Sequence, residues 1–583
     1  MRRLTFRELM SSEGDAQESR LRNAGILDEL SGRSNAAVDD AGTRNDLNRE
    51  RPTSMGEDDV SEDQDFFVLP NVHVPAATKL RLRDVLLPAG VFVLALLARL
   101  YVLFVLTDPQ NAALGWYGDV YHHWQIAYLS KEVGFTHGFL RLWDFKGLEF
   151  FWGLLHPLVL IGLFKITGSV DIVIPRLLSA FCGSLSVVLI VLLLRRHFNL
   201  GVAIAGGLLA GFNPIAVFSD SIGMQEPLGL ALLLGGLLLL PRRPLLCGFL
   251  WALGGMVRAE YWVFGGGLLL AAVMIRRYRK QVLPLVIGWG VPSLLYMKYM
   301  LDHTGNPIYP IYWNFLAGTA GRWMQDVVLN AEQLTVQLVA RIVLLSALVL
   351  AGWVLWKRPR STLFLLLGLG NIIMIGIVLG LGKYINGYIT RVLVDRLLAV
   401  PYGYVGIFLA IGALYGLPKK IPRTAGLIAG WSSTLLVFGA TQLAWAPLLA
   451  YYEPLRPLWD AEMELAEQVA SYYHRGTIAI PEDRQALTYG LVRFHGIEGK
   501  DLEGQMYDPF SYMEGDPFQD WDSNRQVVWR WLKDRNITLL VFYNGKAPYE
   551  EMIRREPKWF SYEATVYRNT FEIYQVHLVD LND

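Results

Sequence analysis

Apolar runs of about twenty residues, separated by short polar connectors, dominate the middle of this chain. The first, 85–106, follows Lys79, Arg81 and Arg83 and is long enough to cross a ~30 Å hydrocarbon core. Others follow at about 174–194, 200–219, 227–240, 245–257, 261–275, 282–300, 338–356, 361–381, 397–416 and 424–446. The pattern then changes period. Helical spacing at about 458–474 and 521–535 alternates with strand-like runs at 477–480 and 538–543. Two further strand candidates, 561–567 and 571–577, meet at Arg568-Asn569-Thr570 like a hairpin. The expectation is an α-helical polytopic membrane protein of about 11 transmembrane helices with a small C-terminal α/β domain.

Before the first run lies a stretch of different character. Residues 1–77 are polar, nearly free of aromatics before Phe66, and carry the acidic cluster GEDDVSEDQD at 56–65. No apolar stretch near Met1 marks a secretory signal. This reads as a disordered cytoplasmic tail. The expected organisation is therefore 1–77 tail, 78–446 membrane module and 447–583 soluble domain.

Positive charge sets the direction. Arg195-Arg196, Arg242-Arg243, RRYRK at 276–280, KRPR at 357–360, and Lys419, Lys420 and Arg423 all land on the cytoplasmic side if the N-terminus is cytoplasmic. Segment 151–166 is apolar but short and holds His156-Pro157; counting it as a span would put every basic connector outside. It is read as a juxtamembrane helix in the outer interface. The soluble domain then lies outside the membrane. The setting is a prokaryotic plasma membrane, or the ER membrane in a eukaryote.

Composition narrows the class further. Of 583 residues 53% are apolar and 18% charged, which excludes a disordered chain, a collagen and a coiled coil. Lys+Arg and Asp+Glu balance at 53 each, so no net charge points to nucleic acid. Cys182 and Cys247 fall within apolar runs and imply neither a metal site nor a disulfide framework. No nucleotide fingerprint, P-loop or zinc spacing occurs in the C-terminal region 447–583.

Residues with chemical potential collect in the outer loops at 108–173, 220–226, 257–261, 301–337 and 382–396. Foremost is Gly-Trp-Tyr-Gly-Asp119-Val-Tyr-His122-His123-Trp, just after the first span. A carboxylate near the bilayer surface can take a proton from an incoming hydroxyl. A helix starting near Asp119 sets His122 and His123 on its face at i+3 and i+4, to orient the carboxylate, contact a phosphate or help hold a metal. The structural alternative is that Asp119 caps an interfacial helix while Trp116, Tyr117, Tyr121 and Trp124 form an aromatic belt. Next is Asp220-Ser-Ile-Gly-Met-Gln225-Glu226-Pro227, where Glu-Pro is good helix-start chemistry in itself and Glu226 is also placed to bind an acceptor or share a divalent cation with Asp119. Arg99, Arg258, Arg391 and Arg396 lie in or beside apolar runs, where charge costs ~2.5–3.5 kcal/mol on insertion scales. A lipid phosphate is the natural partner for such guanidiniums; snorkelling, or a pair such as Arg258 with Glu260, is the plain alternative. His303-Thr-Gly305-Asn306-Pro307-Ile-Tyr309-Pro310 is a turn by composition.

Together these residues resemble the GT-C superfamily of integral-membrane glycosyltransferases, above all the enzymes that use polyprenyl-phosphate monosaccharides: protein O-mannosyltransferases and lipid A aminoarabinose transferases. The likeness covers about 85–446. It rests on Ala-Arg99-Leu-Tyr leading to Gly118-Asp119, on Glu226-Pro227 opening a later span, on Arg258-Ala-Glu260 as a loose Arg-Pro-Glu element, on the 305–310 turn, and on 396–401 as an Arg-x-Leu-Leu-x-x-Pro-like stretch with one residue fewer. Where many relatives carry Asp-Glu, this chain has Gly-Asp-Val-Tyr-His-His, and its C-terminal domain lacks the Trp-Trp-Asp-Tyr-Gly of oligosaccharyltransferases.

The resemblance implies inverting transfer of a monosaccharide from a polyprenyl-phosphate donor to a protein, lipid or glycan acceptor, with Asp119 as general base and Glu226 beside it. It makes Arg258, Arg396, Lys383 and His303 the donor-phosphate ligands, and His122, His123, Glu260 and Asp220 acceptor or orienting residues. Membrane lipids surround the module and no nucleic acid takes part. A first alternative is oligosaccharyl transfer from a lipid pyrophosphate, which calls for a divalent cation (Mg or Mn) held by Asp119 and Glu226. A second is a transporter or flippase of an amphiphile, against which stand the charges gathered at one face and the lack of a repeat. A third is a non-catalytic, glycan-binding scaffold.

Overall fold

A computed structural model describes residues 82–110, 119–133, 153–274, 279–312, 399–452, 456–481, 484–504, 521–543, 552–567 and 570–577. The expected tail, the expected spans at 338–356 and 361–381, and Lys383, Arg391 and Arg396 lie outside the described residues.

The helices follow the apolar runs, with informative departures. α1 (Leu82–Tyr101) continues into a π-helical turn at Val102–Leu106. α2 (Asp119–Val133) and α3 (Leu155–Thr167) lie between it and α4 (Val173–His197). The run expected at 200–219 is broken into α5 (Leu200–Gly211) and α6 (Pro214–Ser219). Asn213 explains the break: its side chain accepts from Ile215 N at 2.9 Å, and Pro214 in the first turn has no N–H to continue the preceding helix.

α7 (Glu226–Leu239) and α8 (Pro244–Val257) form a hairpin, followed by α9 (Ala259–Met274), α10 (Arg279–Thr304), α11 (Ala399–Ile411), α12 (Arg423–Gln442) and α13 (Trp445–Tyr452). α7 and α8 have 14 residues each, about 21 Å, against a core of ~30 Å. Among the described residues, four helical stretches are long and apolar enough to cross a membrane: 85–106, 173–197, 279–304 and 423–450. Their outward faces are greasy: Leu94 is 62% exposed, Leu283 70% and Leu436 75%. No water-facing surface of a soluble protein carries leucines in such number, so this is an integral membrane protein.

The bundle core runs between α4, α5, α7, α8, α9 and α11 through Val191, Leu194, Leu209, Leu233, Trp251, Phe264 and Ile407. α4 is its axis, packed against α1, α5 and α7. A buried ion pair crosses beside it, from Arg99 on α1 to Asp220 just after α6. Gly183 on α4 leaves the room for that carboxylate.

After α13 the chain builds a five-stranded sheet in the order β2-β1-β3-β5-β4. The strands are β1 (Thr477–Ile480), β2 (Leu502–Gly504), β3 (Ile537–Tyr543), β4 (Phe560–Val566) and β5 (Phe571–Val576). β1 is parallel to β2 and β3; β5 is antiparallel to β3 and β4, with Leu540 opposite Tyr574. Alternation splits β3 between two layers. Leu539 and Val541 face α14 (Arg456–Tyr472) and α15 (Gln485–His495), whereas Leu540 and Phe542 face α16 (Trp521–Asp534). The first of these layers is continuous with the packing of α2 and α3.

A methyl group at residue 183 would sit inside the Asp220 carboxylate. Gly183→Ala is expected to separate Arg99 from Asp220 and cost about 3–5 kcal/mol, the penalty for breaking a buried ion pair. Gly90→Ala on α1, where the new carbon meets nothing within 4 Å, is the control and should unfold at or above the wild-type temperature in detergent. Equal melting of the two variants would refute this account.

Candidate active site

α2 begins at Asp119, whose carboxylate at the first position is favoured by the positive end of the helix. Residues 120–130 are then buried on every face. That overturns the aromatic-belt reading for its two described members. Trp124 is fully buried and donates Nε1–H to the Val170 carbonyl at 2.6 Å; Tyr121 is fully buried and donates to the Gln110 carbonyl at 2.9 Å. Trp116 and Tyr117 lie outside the described residues.

His122 and His123 fall at the expected spacing, but both are interior. Burial pulls His122 down to about 3, only partly countered by its hydrogen bond with Gln125, so it is neutral at physiological pH. The His123 ring meets His156 of α3 edge to face at 5.1 Å.

Two ion-paired arginines stand nearby. Arg99 gives Nε and Nη2 to Asp220 Oδ2 at 3.0 and 2.5 Å, Nη1 to the Ala95 carbonyl and Nη2 to the Gly211 carbonyl. All its nitrogens are engaged and it is 1% exposed, so it braces α1 against the α5–α6 corner. Asp220 is thereby spent on a guanidinium. From there the chain turns through Gly223, whose φ of +88° favours glycine and whose Cβ position is occupied by Val120 and Arg176. That close approach fixes the first turn of α2 against the loop leading into α7.

Glu226 opens α7 with Pro227 behind it. Arg258, in extended conformation between α8 and α9, reaches it with Nη1 to Oε1 at 2.6 Å. The same guanidinium holds Glu260 in a fork, Nε to Oε2 at 2.9 Å and Nη2 to Oε1 at 2.6 Å. The plain pairing of Arg258 with Glu260 is therefore real, with Glu226 as a third member. Burial works against the Arg258 charge, but Glu260, Glu226 and, more weakly, Asp119 outweigh it and hold the group well above its ordinary range. Asp119, Glu226, Arg258 and Glu260 thus form one electrostatic cluster.

Three members of the cluster, Glu226, Arg258 and Glu260, line the charged end of a groove between α4, α7, α9 and α11, whereas Asp119 is not among its lining residues. Arg99, Asp220, Glu226, Arg258 and Glu260 line its polar end, and Val187, Leu194, Leu230, Leu234, Phe264 and Ile407 are among its apolar walls. Its cavity volume is about 150 Å³.

His303 stands apart. It is exposed on the last turn of α10, its Nδ1 2.9 Å from the Tyr299 carbonyl, and does not line this groove. Lys383 and Arg396 lie outside the described residues. Among the described residues no group of three or more His, Cys, Asp or Glu is arranged to hold a metal.

Sequence reasoning used His156 for topology and gave it no role. It is fully buried, and among the described residues neither ring nitrogen has a hydrogen-bond partner. Burial lowers it to about 4, with the charge of Glu226 pulling the other way. A His-Pro at the start of a short apolar helix was the only signal. Arg176, fully buried with Nη1 directed at the Pro109 and Asp108 carbonyls, was also missed, because nothing local distinguishes it from an interfacial arginine.

These histidines give a pH dependence. A histidine whose folded pKa lies below its ordinary 6.5 binds its proton more readily in the unfolded chain. Between about pH 6.5 and 4, unfolding therefore takes up protons and stability falls as pH falls. Melting in detergent should drop from pH 7 to pH 5, by up to about 1.4 kcal/mol per pH unit for each group. His156→Asn should shallow that slope; a slope identical to wild type would mean that His156 is not held neutral.

No family model matches the chain, and no curated protein matches it in sequence. Solved structures do. ArnT from Cupriavidus metallidurans, bound to undecaprenyl phosphate, superposes with a TM-score of 0.53 at 12% identity, over 84% of this chain and 97% of that one. The Archaeoglobus fulgidus oligosaccharyltransferase in its apo form matches at 0.47 and 11%, over 79% and 70% of the two chains. The archaeal oligosaccharyltransferase AglB from the same organism, complexed with an inhibitory peptide and a dolichol-phosphate, matches at 0.45 and 12%, over 86% and 76%. The fold assignment rests on ArnT, whose score alone of the three exceeds 0.5: this chain has the GT-C fold of the integral-membrane glycosyltransferases.

Proposed function

We propose that this protein transfers a monosaccharide from a polyprenyl-phosphate donor to an acceptor at the extracytoplasmic face, inverting the anomeric carbon. The observation that carries the reading is an apolar groove with a charged end, where Arg258 also feels the charge of Asp119 at the start of α2. A prenyl chain is the ligand whose chemistry matches such a groove, and ArnT, the neighbour in fold, was solved with undecaprenyl phosphate. Sidedness comes from the basic connectors, which put the N-terminal tail inside the cell and the sheet outside it.

In this reading the prenyl tail lies among the groove leucines and the sugar phosphate reaches the mouth. Asp119 takes the proton of the acceptor hydroxyl as its oxygen bonds to the anomeric carbon. The bond from that carbon to the phosphate oxygen breaks, and polyprenyl phosphate leaves with the electron pair. Arg258 meets the growing charge, a contribution that is often the largest single catalytic term. Because three carboxylates already act on this guanidinium, further cations must join it. Lys383 and Arg396 are assigned that part.

The carboxylate excess also favours a second reading, oligosaccharyl transfer from a lipid pyrophosphate with a divalent cation between Asp119 and Glu226. Chelation separates the two.

The test is donor consumption. Purified protein in nanodiscs, given a panel of polyprenyl-phosphate monosaccharides with a membrane extract as acceptor source, should release free polyprenyl phosphate, with or without EDTA. Asp119→Asn should lower the rate ~10²–10⁴-fold, the usual worth of a general base. A wild-type rate in that variant removes Asp119 from the base role; no release from these donors, together with EDTA-sensitive turnover of a lipid-pyrophosphate oligosaccharide, moves the assignment to the second reading.

A further inference from the structure

α2, which carries Asp119, is gripped from a remote part of the sequence. On α2 the residues at 121, 124, 125 and 128 form one helical stripe. α15 and the turn at Gly499–Asp501 lie against it. Gln125 donates Nε2–H to Thr488 Oγ1 at 3.1 Å, 363 residues away in sequence. The Tyr128 hydroxyl accepts from Gly499 N at 3.1 Å. Both Gln125 and Thr488 are fully buried, so this contact excludes water.

Tyr489 is the centre of the grip. It too is fully buried, with its ring edge-on to Tyr121 at 5.3 Å and to Trp124 at 5.0 Å. Its hydroxyl donates to Gln110 Oε1 at 2.8 Å and accepts from Ile172 N at 3.3 Å. The Gln110 carbonyl accepts from Tyr121 in the first turn of α2, and its amide donates to Asp171, which also accepts from Val173 N at the start of α4. One phenol therefore ties the end of the first transmembrane helix, the start of α4 and the opening turn of α2 into a single network. Asp119 lies two residues from Tyr121, and its neighbour Val120 is pressed against Gly223 on the loop to Glu226.

We infer that α15 is a positioning clamp: Tyr489 and Thr488 fix α2 and so hold Asp119 in register with Glu226 and Arg258. Tyr489 is a positioning residue, since it acts through Tyr121 and Gln110 and is remote from the groove walls. The effect on turnover rests on the transferase reading above; the effect on α2 does not. On this account the sheet domain acts in the reaction without contributing a reacting group.

The test uses the full chain in nanodiscs, with Tyr489→Phe, which keeps the ring and removes the hydroxyl, and Thr488→Val, which keeps the shape and removes the acceptor. Hydrogen–deuterium exchange in residues 119–128 is expected to rise about tenfold in each, with exchange in α7 unchanged; one lost hydrogen bond is worth about that factor. Unchanged exchange in 119–128, or a rise spread equally over α7, overturns the clamp. Where polyprenyl phosphate release is seen, Tyr489→Phe should lower kcat about tenfold with the donor KM kept. It should add nothing in an Asp119→Asn background, because a residue acting through Asp119 has no further effect once that carboxylate is gone. Additive losses in the double variant overturn the link to Asp119. Absence of release from every donor counts against the transferase reading alone, and the exchange measurement still decides the clamp.

Discussion

A helix buried on all sides has to satisfy every polar group it brings with it, and α2 brings many. Asp119, His122, His123, Gln125 and the tyrosine and tryptophan heads sit on fifteen residues with almost no amphipathic bias. Such a helix cannot float at an interface with one wet face. It needs a neighbour on each side: α3 for His123, the Gly223 loop for Val120, α15 for Gln125 and Tyr121, and the turn at Gly499 for Tyr128. The rest of the arrangement follows from supplying those neighbours. The sheet is held against the bundle because one of its helices completes the burial of α2.

Charge is handled by the same rule. Each guanidinium at the groove mouth is matched with carboxylate in close geometry, Arg99 with Asp220 and Arg258 with Glu226 and Glu260. Removing one partner would leave an uncompensated buried charge, which costs far more than the pair itself contributes. These contacts therefore fix where the arginines point. They also join elements distant in sequence: Arg99 reaches 121 residues ahead, Arg258 32 residues back.

The division between what could and could not be read from the sequence follows from that reach. Apolar runs, the break chemistry of Glu226-Pro227 and the acidic first loop are local, and helix boundaries such as 226–239 lie within a residue or two of the pattern. Strand alternation was equally local for β1, β3 and the β4–β5 hairpin, whereas β2, at three residues, is too short to alternate. The break at Asn213 was visible as an Asn-Pro pair but hidden inside an apolar run. Pairings were a different matter. Arg99 stood among several arginines open to a phosphate, to snorkelling or to an internal pair; nothing nearby announced Asp220 as its partner. Tyr121 and Trp124 looked interfacial because aromatic residues beside a span usually are; the neighbours that make them interior include Gln110, Val170 and, more than 350 residues later, Tyr489 of α15. His156 offered only a His-Pro at the start of a short apolar helix.

Depth explains why pairing is so complete. Asp220 sits opposite Gly183, ten residues and about 15 Å along α4 from Val173. Arg99 is 1% exposed there, so its pairing with Asp220 is the condition for holding that charge inside the bundle. The short α7 and the corner between α5 and α6 make the recess possible, since a helix of about 21 Å packed beside a longer one leaves room at its end. In the transferase reading, this geometry gives Glu226 and Glu260 a second purpose: they hold the Arg258 guanidinium extended and charged when no phosphate is there. An incoming phosphate then meets a preorganised cation and has only to compete for it, and the low dielectric of the recess strengthens whichever contact wins.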